Sequence, residues 1–349
     1  MTNIYAIASA IRYRAILTIT LFMLEGAVIH GKGTFHPWSL VGGALALAAT
    51  YTFASLLNDI ADEKADRINL IGHTDRALVR GGATRGRLMG FAVVSAGIAL
   101  GAGALLGFTG MLVIGASLIL FAEYSLPPLR VSYRPLLTPV LLACGYAGVP
   151  YVIGTIAAGA SLRRADLIIV GGLTFLFASR ILLKDFRDRT GDAAVGKPTP
   201  LLRYGKRAIC RASTACLAVA AVIVSIAFHG DVMLVVGLVP FWCMLAYLEW
   251  KVAHARTVLE EVVAVGIGAK VGNGLLLAIL GFVLLAAQHA PLDSVVGFTL
   301  VVAVPYGWLV RQFSRDSGEF VFGNAQITLA LRVKQPEASN RSDLEEHIA

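Results

Sequence analysis

The sequence predicts an all-α polytopic membrane protein with nine or ten transmembrane helices. Hydrophobic residues make up 57% of the 349 positions and charged residues only 15%. The mean hydropathy is +0.73, far from a soluble balance. Continuous apolar runs recur along the chain, each about the 20 residues needed to cross a hydrocarbon core of about 30 Å. They do not alternate with period two, which argues against a transmembrane β-barrel. The net charge of +8 sits between these runs, as the positive-inside rule requires, and so does not point to nucleic acid.

In order, the runs cover 15–31, 38–57, 88–108, 110–125, 135–159, 167–183, 208–229, 232–250, 262–288 and 295–311. The first is followed by "HGKGTFHP", without an A-x-A-like cleavage site, and reads as a retained span. The last, "SVVGFTLVVAVPYGWLV", carries Pro305 and Gly307 and leaves the count at nine or ten. Glycine-rich "GIALGAGALLG" and "GIGAKVGNG" read as close-packing helix faces. The four cysteines lie in or beside apolar stretches and have no metal-binding spacing. Residues 1–331 read as one transmembrane domain, and 332–349 as a polar, disordered tail.

Basic residues set the orientation. With the N-terminus inside, inner loops hold Arg12, Arg14, Arg67, Arg76, Arg130, Lys184, Arg187, Lys197 and Lys206 among others, while outer loops hold only Lys32, Arg163 and Arg164. This predicts a cytoplasmic N-terminus. A bacterial plasma membrane is the expected location, because no organelle-targeting peptide precedes the first span.

Two acidic clusters stand out. "NDIADEKAD" places Asp59, Asp62 and Asp66 at offsets of zero, three and seven, and "KDFRDRTGD" repeats that spacing with Asp185, Asp188 and Asp192. On a helix such offsets fall on one face, where like charges repel. The clusters follow the second and sixth spans, so an even number of crossings separates them and both emerge on the cytoplasmic face. One such cluster is commonly a solvated helix end. Two of identical spacing on one side instead suggest a shared divalent cation, because Mg²⁺ takes carboxylate oxygens and completes its shell with water and substrate phosphates. Neighbouring Arg76, Arg130 and Lys184 are then candidate phosphate ligands.

These motifs resemble the UbiA superfamily of intramembrane prenyltransferases. Its first signature, Asn-Asp-x-x-Asp-x-x-x-Asp, is matched by Asn58, Asp59, Asp62 and Asp66. The Arg-Pro-Leu-like turn that follows keeps Arg76 and Leu78, with Ala77 in the proline place. The second aspartate-rich signature is matched from Lys184 through Asp185, Asp188, Gly191, Asp192, Gly196, Thr199 and Pro200 to Gly205. Between them, "YSLPPLRVS" resembles the family's Tyr-Ser-x-Pro-Pro-x-Arg-x-Lys stretch through Tyr124, Pro127, Pro128 and Arg130, with Ser132 where lysine is common. The resemblance implies a helical bundle around a central cavity. It also implies Mg²⁺ held by the six aspartates, with Asp59, Asp62, Asp185 and Asp188 carrying the catalysis. Asn58, Arg76, Tyr124, Arg130 and Lys184 would bind substrate. The implied reaction ionises a polyprenyl diphosphate and transfers the prenyl group to a small lipophilic or aromatic acceptor.

A terpene cyclase of the same superfamily, acting without an external acceptor, is the alternative. A cation transporter is disfavoured because the aspartates sit at span ends and not at the midplane. A CDP-alcohol phosphotransferase would need a Gly and an Arg that "NDIADEKAD" lacks. Glu25, Arg180, Lys270 and Asn273 lie inside spans and are candidates to line the cavity, contact the acceptor or pair between helices.

Overall fold

A computed structural model describes residues 12–31, 36–69, 78–79, 81–228 and 231–315. The described residues form helices and turns, with no strand among them. Ten helices are long and apolar enough to cross a membrane. They are α1 (Tyr13–Gly31), α2 (Pro37–Ala61), α4 (Arg85–Ala104), α5 (Gly107–Ser125), α6 (Leu137–Ala157), α7 (Arg164–Leu182), α9 (Pro200–Ala227), α10 (Val232–His254), α11 (Val258–Ala287) and α12 (Leu292–Arg315). Two short polar helices interrupt the series, α3 (Glu63–Asn69) and α8 (Asp185–Ala194). The predicted tail 332–349 and Arg76 lie outside the described residues.

The tenth apolar run is a continuous helix even though Pro305 lies inside it. Several helices start earlier than their apolar runs, because polar residues cap them. Thr199 accepts a hydrogen bond from the Leu202 amide and Pro200 occupies the first turn, so α9 begins eight residues before the run at 208. Thr84 and Thr257 cap α4 and α11 in the same way.

Hydrophobic side chains such as Val94, Ile119, Val222, Val236 and Val301 face outward, as lipid contact requires. The interior is filled by Phe22, Leu173, Leu176, Phe241, Leu275 and Phe282. Helix α2 packs on α4, α7 on α9, α10 on α11, and α1 on the second half of α6. The last contact is backbone to backbone: a methyl on Gly26 would strike the Tyr151 carbonyl, and one on Gly154 the Met23 carbonyl. Small residues permit such crossings where no hydrophobic force drives helices together.

Helix α6 widens into a π turn at Cys144–Gly148. Pro150 follows; it has no amide hydrogen for the carbonyl four residues back, and its ring would crowd that carbonyl, so the helix opens there. Tyr146 sits in the widened turn.

Candidate active site

The first acidic cluster does not lie on one uninterrupted helix face. Asn58 and Asp59 occupy the last turn of α2, and Asp62 ends that helix with φ −98° and ψ 9° before the chain re-enters helix at Glu63. Backbone hydrogen bonds carry across the bend, from the Asp62 amide to Asn58 and from the Asp66 amide to Asp62. The second cluster is continuous, with Asp185, Asp188 and Asp192 all on α8.

Helices α3 and α8 pack against each other. The Gly191 amide donates to Asn69 Oδ1 at 2.6 Å, and a side chain at Gly191 would collide with the Ala65 carbonyl and the Asn69 amide group. Beyond α8, Lys197 reaches back so that its Nζ lies 2.7 Å from Asp62 Oδ2 and 3.8 Å from Asp192 Oδ1. The two clusters therefore meet at one end of the bundle, as the count of crossings predicts.

They meet over a cavity of about 800 Å³, counting its open mouth. Asn58, Asp62, Asp66, Asp188 and Asp192 line it, together with Tyr124 and Lys184. One turn deeper on α2 the lining becomes apolar at Ala54, and Phe121, Leu142, Tyr146 and Ile181 continue it. The rings behind this wall are interlocked: Tyr146 stacks on Phe177 with centroids 5.1 Å apart, and meets Tyr51 and Phe121 edge-on.

Basic side chains lie against Asp59, Asp62, Asp185, Asp188 and Asp192. Asp59, 5% exposed, lies behind the lining and accepts from Arg12, which does line the cavity. Asp185, 1% exposed, has Oδ1 3.1 Å from Lys184 Nζ, while its buried Oδ2 has no hydrogen-bond partner. Arg187 grips Asp188 with two hydrogen bonds of 3.0 and 3.2 Å. Asn58 Nδ2 donates to Asp62 Oδ2 at 2.6 Å.

The electrostatics are uneven. Burial opposes ionisation of Asp188, but the charge and hydrogen bonds of Arg187 outweigh it and hold the carboxyl below its usual range. Burial likewise disfavours the charge on Lys184, but Asp185 and its neighbours more than offset it and raise the ammonium. Asp66 is pushed up to about 7 by burial and by the like charges of Asp59, Asp62 and Asp188. Asp192 rises to about 6, chiefly through burial, with Lys197 opposing and Asp188 and Asp185 adding to the rise. Six carboxylates face the four bases Arg12, Lys184, Arg187 and Lys197, so the site is short of positive charge.

An all-oxygen donor set, an orphaned buried carboxylate oxygen at Asp185 and upward-shifted acids suit a hard divalent cation. Among the described residues, no three such groups are arranged around a single point.

Of the sequence-predicted residues, Arg130 stands apart. It has left-handed backbone geometry (φ 42°), its guanidinium lies 3.9 Å from the centroid of the Tyr133 ring, and it does not line the cavity. Arg12, Arg187 and Lys197 enter the site although their sequence signal was only positive-inside charge. The one further clue was that Lys197 lies within the second signature stretch, in Gly196-Lys197-Pro198. Glu25 is fully buried, both its oxygens lack hydrogen-bond partners, and it does not reach the cavity. Arg180 and Asn273 pair across α7 and α11 at 3.2 Å.

The model of the UbiA prenyltransferase family matches residues 17–264. Solved structures similar in fold include that of a digeranylgeranylglyceryl phosphate synthase study, 14% identical over 80% of this chain and 98% of that one, with a TM-score of 0.61. An Archaeoglobus fulgidus UbiA homolog bound to GPP and Mg²⁺ is 17% identical over 78% and 99%, with a TM-score of 0.57. An apo UbiA homolog from Aeropyrum pernix K1 is 18% identical over 78% and 98%, with a TM-score of 0.60. No curated protein matches the chain.

Proposed function

The chain belongs to the UbiA prenyltransferase family, and on that premise we propose that it is a Mg²⁺-dependent intramembrane enzyme that ionises an isoprenyl diphosphate and transfers the prenyl group to an acceptor of aromatic type. The observation that carries this reading is the meeting of two acidic motifs over one cavity with a polar mouth and an aromatic floor. A related fold is known with GPP and Mg²⁺ bound.

In this reading Asp59, Asp62, Asp66, Asp185, Asp188 and Asp192 hold the metal, directly or through water, with Asn58 fixing Asp62. Bound there, Mg²⁺ supplies positive charge to the diphosphate oxygens. Lys184, Lys197, Arg187 and Arg12 stand at the same mouth and can exchange a carboxylate partner for a diphosphate oxygen, neutralising the charge that grows as the leaving group departs. Arg76 and Arg130 are assigned to the diphosphate on the resemblance of their motifs.

The apolar tail lies among Ala54, Leu142 and Ile181. The C1–O bond breaks with its electron pair leaving on the diphosphate, the acceptor's nucleophilic atom bonds to C1, and the acceptor releases a proton. Phe121, Tyr124 and Tyr146 line the cavity, where aromatic rings can stabilise the allylic cation, and a lipid-embedded wall keeps water from quenching it. The mouth faces the cytoplasm, by the distribution of basic residues.

The test is product analysis by mass spectrometry of purified protein with a panel of isoprenyl diphosphates and Mg²⁺, with and without candidate acceptors. A prenylated acceptor is expected. A cyclic hydrocarbon formed without acceptor would instead identify a cyclase, and no diphosphate release under any condition would refute the reading.

A further inference from the structure

One charged patch lies on the outside of the bundle, away from the acidic site. Helix α9 contains no aspartate or glutamate, yet its first half carries Arg203, Lys206, Arg207 and Arg211. Lys206 finds a counter-charge: it donates to Glu261 Oε1 at 2.8 Å and to the Ala255 carbonyl at 3.0 Å. The three arginines are exposed, and among the described residues none of them has an acidic partner.

Gly205 interrupts the helical geometry of α9 (φ 79°, ψ 164°). Past that break Arg207 and Arg211 stand four residues apart on one face, where like charges repel and weaken the helix. Positive-inside bias accounts for basic residues in loops, but Arg211 lies within the apolar run 208–229. It is about 7.5 Å along the axis from Lys206, the first residue after the break. The opposite side of this turn faces inward: Ser213, two residues on, is buried with its Oγ 2.7 Å from Glu249 Oε1 of α10.

Below the arginines the same face is apolar. Ala215, Val222 and Ile226 follow Arg211 at four, eleven and fifteen residues and are all exposed. In a membrane-spanning helix the bilayer covers such a face, so its occupant is a lipid. The acyl chain meets Ala215, Val222 and Ile226, and the polar head lies at the level of Arg207 and Arg211, whose long stems carry the guanidinium toward the interface. Tyr204, exposed just before the break, is of the residue type that settles at headgroup depth. The paired N–H groups of arginine match two phosphate oxygens at once. A zwitterionic head would bring its own cation against three arginines, and an anionic head would not.

We propose that Arg207 and Arg211, with Arg203 beside them, form a binding site for the head of an anionic phospholipid whose acyl chain lies along the outer face of α9. The site takes a lipid of the surrounding bilayer. It is separate from the cavity where the acidic motifs meet, and it stands whether or not the prenyltransferase reading does.

The experiment titrates the full-length protein in detergent with phosphatidylglycerol or phosphatidylcholine of identical chains and counts bound lipid by native mass spectrometry. Phosphatidylglycerol is expected to bind about tenfold more tightly. Arg207→Gln with Arg211→Gln, at exposed positions that leave the core intact, should bring the two lipids to equal affinity. Arg207→Lys with Arg211→Lys should keep part of the preference, because an ammonium keeps the charge and loses the paired donors. Arg311→Gln with Arg315→Gln removes the same charge from the end of α12, at the same end of the bundle, where the helix's own carbonyls favour cations. That variant should keep the full preference. No preference in the wild type, a preference that survives in Arg207→Gln with Arg211→Gln, or an equal loss in the α12 variant overturns the assignment. Displacement of the bound lipid by inorganic phosphate would overturn it too, by showing a site for a free anion.

Discussion

Lys197 Nζ lies 2.7 Å from Asp62 Oδ2, joining two residues 135 positions apart in the chain. The pair is almost fully buried, with side chains 6% and 14% exposed. Lys197 thereby offsets part of the negative charge that the two motifs bring together.

Lys197→Met should therefore destabilise the metal-free protein by about 3 kcal/mol, because it strands a buried carboxylate. Mg²⁺ should recover most of that loss by supplying the missing charge. Thermal unfolding in EDTA and in Mg²⁺ measures both effects. An unchanged Tm in EDTA would show that the pair contributes nothing.

Gly191→Ala should separate α3 from α8. The added methyl meets the Ala65 carbonyl and Asn69, and overpacking of this kind costs about 1–3 kcal/mol. Activity should fall further than stability, because carboxylates proposed to hold the metal ride on the two helices being separated. Paired Tm and turnover measurements distinguish the effects.

Acid should weaken metal binding. Asp66 and Asp192 have folded pKa values raised to about 7 and about 6, and protons compete with Mg²⁺ for their oxygens. Moving from pH 7 to pH 6 should weaken Mg²⁺ affinity roughly tenfold. The metal-free protein should behave in the opposite way. A carboxyl whose folded pKa is raised contributes stability that is full below its ordinary pKa of 3.8 and is lost as pH rises through 6 to 7. Metal-free Tm should be higher at pH 5.5 than at pH 8, and Asp66→Asn with Asp192→Asn should flatten that dependence.

Tyr146→Leu should divert product toward the free prenyl alcohol. Tyr146 lines the cavity from the widened turn of α6, and in the proposed reaction its loss removes cation stabilisation of about 0.5–2 kcal/mol. Tyr146→Phe, which keeps the ring, should retain the wild-type product ratio. Chromatographic quantification of alcohol against transfer product is the readout.

Much of this was legible in the residues. A count of nine or ten spans followed from hydropathy, and the common end of the two motifs from the number of crossings between them, because the bilayer imposes length on each apolar run. The paired motifs at Asp59–Asp66 and Asp185–Asp192 announced themselves by spacing. The bend at Asp62 did not, since backbone hydrogen bonding continues through it and no glycine or proline marks it. Arg12 and Lys197 were hidden among basic residues that serve topology, because a loop lysine reads the same whether it faces water or reaches across to Asp62. Arg130 follows a motif and still lies against Tyr133, outside the cavity lining.

The most direct test of the shared site takes one residue from each motif. Mg²⁺-dependent diphosphate release is measured for the wild type, Asp62→Asn and Asp188→Asn, all monodisperse in detergent. Each variant is expected to lose about 100-fold or more in rate, although the two positions come from opposite halves of the chain. Near-normal release by either variant would contradict a single site built from both motifs.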